Sequence, residues 1–99
     1  MANKQPTWGA NTRLSVPDHV LSRRAAGETV LLDLNSEEYF GLDGVGSRFF
    51  ELLEAGRSYG EIVETLIDEY EVERSVLEAD LSALITELAA SGLLVVDGS

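Results

Sequence analysis

Apolar residues in this chain change their spacing twice. From Arg13 to Val16 they alternate weakly and stop at Pro17, which limits that stretch to a short strand, and Val20 to Ala25 is a second weak strand candidate. Thr29-Val30-Leu31-Leu32-Asp33-Leu34 is then β-prone, Asn35-Ser36-Glu37 is turn chemistry, and Glu38-Tyr39-Phe40-Gly41-Leu42 is β-prone again. Two such runs with three turn residues between them predict a hairpin. The edge of its sheet is an open row of backbone donors and acceptors unless something covers it.

The spacing then becomes helical. A first helix is expected from Asp43, a good N-cap residue, to Ala55, with Gly56 past its end; Val45, Phe49, Leu52 and Leu53 share one face. Ser58-Tyr59-Gly60-Glu61 has the form of a capping box and opens a second helix with Ile62, Val63, Leu66, Ile67 and Tyr70 on its apolar side. A third, from about Glu73 to Ser91, carries Leu77, Leu81, Leu84 and Leu88 as a core stripe and stops at Gly92. Leu93 to Val96 reads as a final short extended piece. The second and third helices, separated by Tyr70-Glu71-Val72, have helix-turn-helix proportions. The whole is an α+β chain, and strands beside such a trio suggest a winged helix-turn-helix. We read residues 1–12, polar and holding the lone Trp8, as a flexible tail, and residues 13–99 as one domain.

Composition narrows the function. The 99 residues hold no cysteine, which removes disulfides, thiolate metal sites and cysteine nucleophiles. The first residues lack the apolar core of a signal peptide, and no apolar run approaches the roughly 20 residues that cross a bilayer, so a soluble, cytoplasmic protein with no membrane partner is expected. Charge is uneven. Four cations against three acids leave residues 1–36 at +1, while three arginines against fifteen acids leave residues 37–99 at −12, which together give the net −11. Such a field repels phosphate backbones and attracts basic partners.

Three kinds of chemistry fail on named residues. Leu42-Asp43 running into a helix has the look of a carrier protein, but the residue after Asp43 is Gly44, with no hydroxyl to hold a prosthetic arm. A DNA-reading third helix would need basic and amide side chains; this one offers Glu78, Asp80, Ser82, Thr86 and Glu87 as its exposed set, with Arg74 at its very start. No nucleic-acid partner is expected. His19 stands alone beside Pro17 and Asp18, and acids such as Glu51/Glu54 and Glu61/Glu64 read as solvated helix faces rather than metal ligands. Gly44-Val45-Gly46 is too short for a nucleotide fingerprint. We expect no enzyme activity, no metal and no cofactor.

A binding module remains. "VLLDLNSEEYFGLDGVGSRFFELL", then "SYGEIVETLIDEYEV" and "LEADLSALITELAASGLL", resembles the PqqD-like family of peptide-recognition domains in ribosomal natural-product pathways, over about residues 14–96. The most specific blocks are "YFGLDGVGSRFFELL" and the third helix with Asp80-Leu81, Leu84-Ile85 and Gly92-Leu93. The resemblance implies a winged helix-turn-helix with an N-terminal three-stranded antiparallel sheet followed by three helices. It also implies that the leader segment of a precursor peptide adds as an antiparallel strand to the last sheet strand, against the third helix. On this chain the docking residues would be Glu38, Tyr39, Phe40, Gly41 and Leu42, with Leu34 at the end of the preceding run, and Asp80, Ala83, Leu84 and Glu87 on the helix. Tyr39 and Phe40 point to opposite faces, one to the core and the other to the groove. Leu84 reads equally as core or groove.

A stand-alone chain of this kind resembles the leader-binding subunit of lasso-peptide maturation systems, which implies a leader peptidase and a cyclase as partners. Two alternatives are a member that presents its precursor to a radical enzyme and a degenerate winged-helix regulator with no peptide ligand. Residues 1–12 have no counterpart in the family pattern.

Overall fold

The structure is a computed structural model that describes residues 9, 12–42 and 44–97. Trp8, most of the expected tail and the Asp43 cap lie outside the described residues. In chain order the elements are β1 (Arg13–Ser15), β2 (Val20–Ala25), β3 (Glu28–Asp33), β4 (Glu38–Leu42), α1 (Gly44–Glu54), α2 (Tyr59–Tyr70), α3 (Arg74–Ala90) and β5 (Val95–Asp97). Three helices and antiparallel strands make it an α+β fold.

The sheets are laid out differently from the expectation. β2, β3 and β4 form a three-stranded antiparallel sheet in that order, while β1 leaves it and pairs with β5, Leu14 opposite Val96. Pro17 starts the turn that separates them, its carbonyl accepting from the Val20 amide at 3.1 Å. Beyond that turn Leu14 buries its side chain on the helices instead of extending the hairpin. Thr12 is buried too, and its carbonyl accepts from the Tyr59 amide at 3.2 Å, tying the start of α2 to the chain ahead of β1.

Local chemistry accounts for the three-stranded sheet. Ala26 and Gly27 make the two-residue β2–β3 link with φ of 56° and 81°; two positive values fit a type I′ turn, whose twist matches the flanking strands. The β3–β4 turn is held by Asp33, whose Oδ1 accepts from the Asn35 and Ser36 amides at 2.9 and 3.3 Å while its carbonyl accepts from the Glu37 amide at 2.6 Å. β3 alternates as a half-covered strand should: Thr29, Leu31 and Asp33 are buried, and Glu28 and Val30 are exposed.

The inner face of that sheet lies on α1. Leu31, Leu42, Phe49 and Phe50 join one apolar core with Ile62, Val63 and Leu66 of α2 and Leu77, Leu81, Ile85 and Leu88 of α3. Inside it the Thr29 and Ser47 hydroxyls meet at 2.5 Å, which satisfies two buried polar groups against each other and fixes β3 on α1. The capping box opens α2 as its sequence predicts, with Ser58 Oγ accepting from the Glu61 amide and Glu61 Oε1 from the Ser58 amide.

Several side chains depart from the periodicity. Phe50 and Tyr59 are core residues the spacing did not single out, Tyr70 is exposed, and Ser82, expected on the surface of α3, is buried. The acids taken as solvated faces have partners. Glu51 meets Arg24 of β2 and Arg48, Glu54 accepts from Ser22, and Glu64 from Arg74.

The β2–β3 turn supplies a test. Ala26 carries a side chain at positive φ, where asparagine is far better accommodated, so Ala26→Asn should raise unfolding stability by about 1 kcal/mol. Urea unfolding midpoints measure it; an unchanged or lower midpoint refutes the turn assignment.

Candidate functional site

β4 is the strand whose position matters most for a peptide ligand. Among the described residues it is hydrogen-bonded on one side only, to β3, with Leu31 opposite Phe40 and Leu32 opposite Tyr39. Its other side is an open edge. Phe40 and Leu42 turn to the helices, half-buried and buried, while Tyr39, 71% exposed, and Gly41 lie on the outer face. Of the Tyr39/Phe40 pair, Phe40 is therefore the residue on the core side.

Two contacts place α3 beside that edge. At the start of β4, Glu38, Tyr39 and Phe40 line a small crevice of about 50 Å³ with Ser91 and Leu93, just past the end of α3. At its far end, a Cβ built on Gly46 of α1 would sit 3.6 Å from Leu84 and 3.7 Å from Leu42, so three elements converge there. Strand and helix thus run in opposite directions along one trough. Beyond Leu84 the trough deepens into an apolar cavity of about 150 Å³, lined by Val45, Gly46, Val72, Val76, Leu77, Leu81 and Leu84, with Asp80 as the polar member of the lining. β2 is also an edge of its sheet, but its inward Ser22 and Arg24 are tied to α1.

The residues named from the sequence divide accordingly. Glu38 to Leu42 form β4, and Asp80 and Leu84 come together at the cavity. Leu84 is half-buried, serving core and cavity alike. Ala83 and Glu87 are exposed on α3, one helical turn apart. Leu34 is not part of the trough: it sits in the β3–β4 turn, 48% exposed, its amide donating to the His19 carbonyl on the β2 side. Val45, Gly46, Val72 and Val76 are the lining residues sequence reasoning missed. Val76, apolar and 53% exposed, carried the available signal.

Ionic contacts brace the frame behind this edge. Arg24 of β2 meets Glu51 at 2.9 Å, Arg48 meets Glu51 at 3.2 Å, and Arg48 meets Glu69 of α2 at 2.7 Å. Hydrogen bonds from Arg24 and then Arg48 hold the Glu51 carboxyl below the ordinary carboxylate range, and Arg48 does the same for Glu69. Glu38, Asp80 and Glu87 have no ion pair among the described residues. Among the described residues no group of three or more His, Asp or Glu is placed to hold a metal, and no helix is long and apolar enough to cross a membrane.

A small α+β domain with one open strand edge beside a helix is the arrangement to which known proteins can be compared. The family model for coenzyme PQQ synthesis protein D (PqqD) matches residues 28–94, from β3 through the end of α3, and the chain belongs to that family. It is similar to TbiB1, solved in complex with the TbiA(beta) leader peptide, at 44% identity and a TM-score of 0.76, over 80% of this chain and 92% of that one. It is also similar to a lasso peptide synthetase B1 complexed with the leader peptide, at 30% identity and a TM-score of 0.76, over 84% and 98% of the two chains. A curated relative, the PqqA binding protein of Gluconobacter oxydans (strain 621H), is 34% identical over 58 residues; the match spans 59% of this chain and 60% of that protein.

The Asp33 carboxylate holds the turn that delivers β4, and it titrates. Burial pushes its carboxyl up, but the Asn35 and Ser36 amides and the nearby His19 imidazole outweigh burial, so the net displacement is downward. A depressed carboxyl contributes stability above its unfolded value, about pH 3.9, and loses it as pH falls through that value to the folded one. Asp33→Asn should therefore unfold at lower urea than the parent near pH 7, with the gap narrowing as pH falls below the unfolded carboxyl value. A gap that does not change with pH would show that the charge of Asp33 contributes nothing.

Proposed function

We propose that this chain binds the leader segment of a ribosomally made precursor peptide as an antiparallel strand on β4, with alternate leader side chains entering the trough along α3. The open β4 edge lying beside α3 carries this reading. A guest strand there completes main-chain hydrogen bonds worth about 0.5–1.5 kcal/mol each, independent of leader sequence, and the cavity at Leu84 adds selectivity for an apolar side chain. TbiB1 and the lasso peptide synthetase B1, both solved with leader peptides, support it. In this role Glu38 to Leu42, Asp80, Ala83, Leu84 and Glu87 form the peptide site. The chain does no chemistry; it raises the local concentration of the precursor at a leader peptidase and a cyclase in the cytoplasm. The scaffold reads as a winged helix-turn-helix in which α2 and α3 supply the helix pair and the N-terminal strands the wing. Residues 13–99 act as one recognition domain, and Thr12, expected in the tail, is buried and belongs to it.

A second reading, presentation of a precursor to a radical enzyme, is favoured by the relative named for PqqA binding. Both readings share the site and differ in the peptide. A winged-helix regulator on nucleic acid is disfavoured, because the exposed face of α3 carries Asp80 and Glu87.

Fluorescence polarisation with labelled TbiA(beta) leader, its scrambled order and a PqqA peptide tests the proposal. Saturable binding of one native order but not the scramble is expected, and binding of none would end it. Successive amides along β4 point alternately to β3 and to the open edge, so proline at Tyr39, Phe40 or Gly41 separates their roles. At least one of these variants should stay folded and lose binding. Gly46→Leu should fill the cavity and cost about ten- to a hundredfold in affinity, the worth of one buried aliphatic side chain. Gly46→Ala, whose Cβ makes ordinary contacts, should bind nearly as the parent does. Leader affinity unaltered by Gly46→Leu would exclude the cavity from the site.

A further inference from the structure

Thr29 and Ser47 are polar residues in places where the core would take apolar ones. Thr29 faces inward on β3, in the row that Leu31 continues, and Ser47 lies on the buried side of α1 with Phe50. Valine and alanine would fill the same space with no polar atom to satisfy. Both residues are buried, and their hydroxyls meet at 2.5 Å. Replacing both partners of such a pair by apolar groups of the same shape is close to neutral for stability, so stability does not account for the pair. What it adds is direction. Apolar side chains slide over one another at little cost, whereas a short hydrogen bond in a dry interior holds one separation.

The place of the pair gives that direction a use. Thr29 is the register partner of Leu42, the last residue of β4, and Ser47 follows Val45 and Gly46 in the first turn of α1. One residue, at position 43, joins β4 to α1. The hydroxyl contact therefore closes a short circuit, from Leu42 across the ladder to Thr29, over to Ser47, and back along α1 to Leu42. Val45 and Gly46, inside that circuit, line the apolar cavity together with Leu84, and a Cβ on Gly46 would already touch Leu42 and Leu84. Any shift of α1 on β3 changes the width of the cavity. We infer that Thr29 and Ser47 are positioning residues for leader selectivity: buried beneath the trough, they hold α1 on β3 so that the cavity keeps one width and accepts one size of apolar side chain. The inference rests on the proposed strand addition, with the cavity as its selective part.

The test uses the full chain and whichever of the TbiA(beta) leader and the PqqA peptide the parent binds. Each apolar residue of that peptide is shortened to alanine in turn, and the anchor is the position whose loss costs the parent about tenfold or more in affinity by polarisation. Thr29→Val/Ser47→Ala removes both hydroxyls and orphans neither. It should keep a urea midpoint close to the parent's, yet anchor truncation should now cost about threefold or less. The loss falls on the intact peptide, while the truncated one binds as it does to the parent. A pair that only stabilised the fold would weaken both peptides alike or neither. Thr29→Ser, which keeps the hydroxyl, should retain the parent's ratio. Thr29→Val alone leaves the Ser47 hydroxyl unpaired and should unfold at lower urea than the double variant. Equal ratios in the parent and the double variant overturn the inference. A double variant that fails to fold overturns it too, because the pair would then be a requirement of the core. A parent that binds neither peptide refutes strand addition, and a binding parent with no anchor position removes the cavity from the site; either result takes this inference with it.

Discussion

A strand at the margin of a sheet satisfies half of its backbone and leaves the other half to water. For β4 that half-finished pairing governs the design around it, because an unpaired edge is useful only if it holds one position. Three independent ties hold it. The Asp33 carboxylate closes the turn before it, Leu42 is sunk in the core after it, and the β3 strand it pairs with is fixed to α1 by the Thr29–Ser47 hydroxyl contact. Each is a local interaction of modest strength, yet together they restrict an exposed strand at both ends and along its length.

The helices contribute differently. α1 and α2 are frame: they carry the phenylalanine-rich core, and the Arg24–Glu51–Arg48–Glu69 chain fastens the sheet to both of them on the solvent side. These pairs are exposed and individually worth little, but they share residues, and a network keeps its geometry better than separate pairs do. α3 has two allegiances. Leu77, Leu81, Ile85 and Leu88 belong to the core, while Asp80, Ala83, Leu84 and Glu87 follow the next stripe round, where Asp80 and Leu84 line the cavity.

Periodicity and turn chemistry made most of this legible in advance. The hairpin that contains β4, all three helices and the capping box of α2 followed from spacing and end signals, which are local properties. What spacing could not deliver was pairing between distant segments. Arg13–Ser15 and Val95–Asp97 are too short and too weakly patterned to announce each other, so the second, two-stranded sheet they form was not expected. Leu34 was placed in the site because its run looked like uninterrupted strand; Asp33 had already begun the turn. The cavity escaped for a related reason. Val45 and Gly46 come from α1, Val72 from the turn between α2 and α3 and Val76 from α3, and only their packing shows that they share a wall. Family resemblance named a strand and a helix but not the space between them.

The pairing of β1 with β5 has a wider consequence. Arg13 lies opposite Asp97, so the first and last strands of the described chain are register partners in one ladder. Strand partners are about 5 Å apart, which makes the domain topologically close to a ring. For any covalent neighbour, upstream or downstream, it therefore has one point of attachment instead of two. The open β4 edge belongs to the other sheet, so that seam can carry a tether without reaching it.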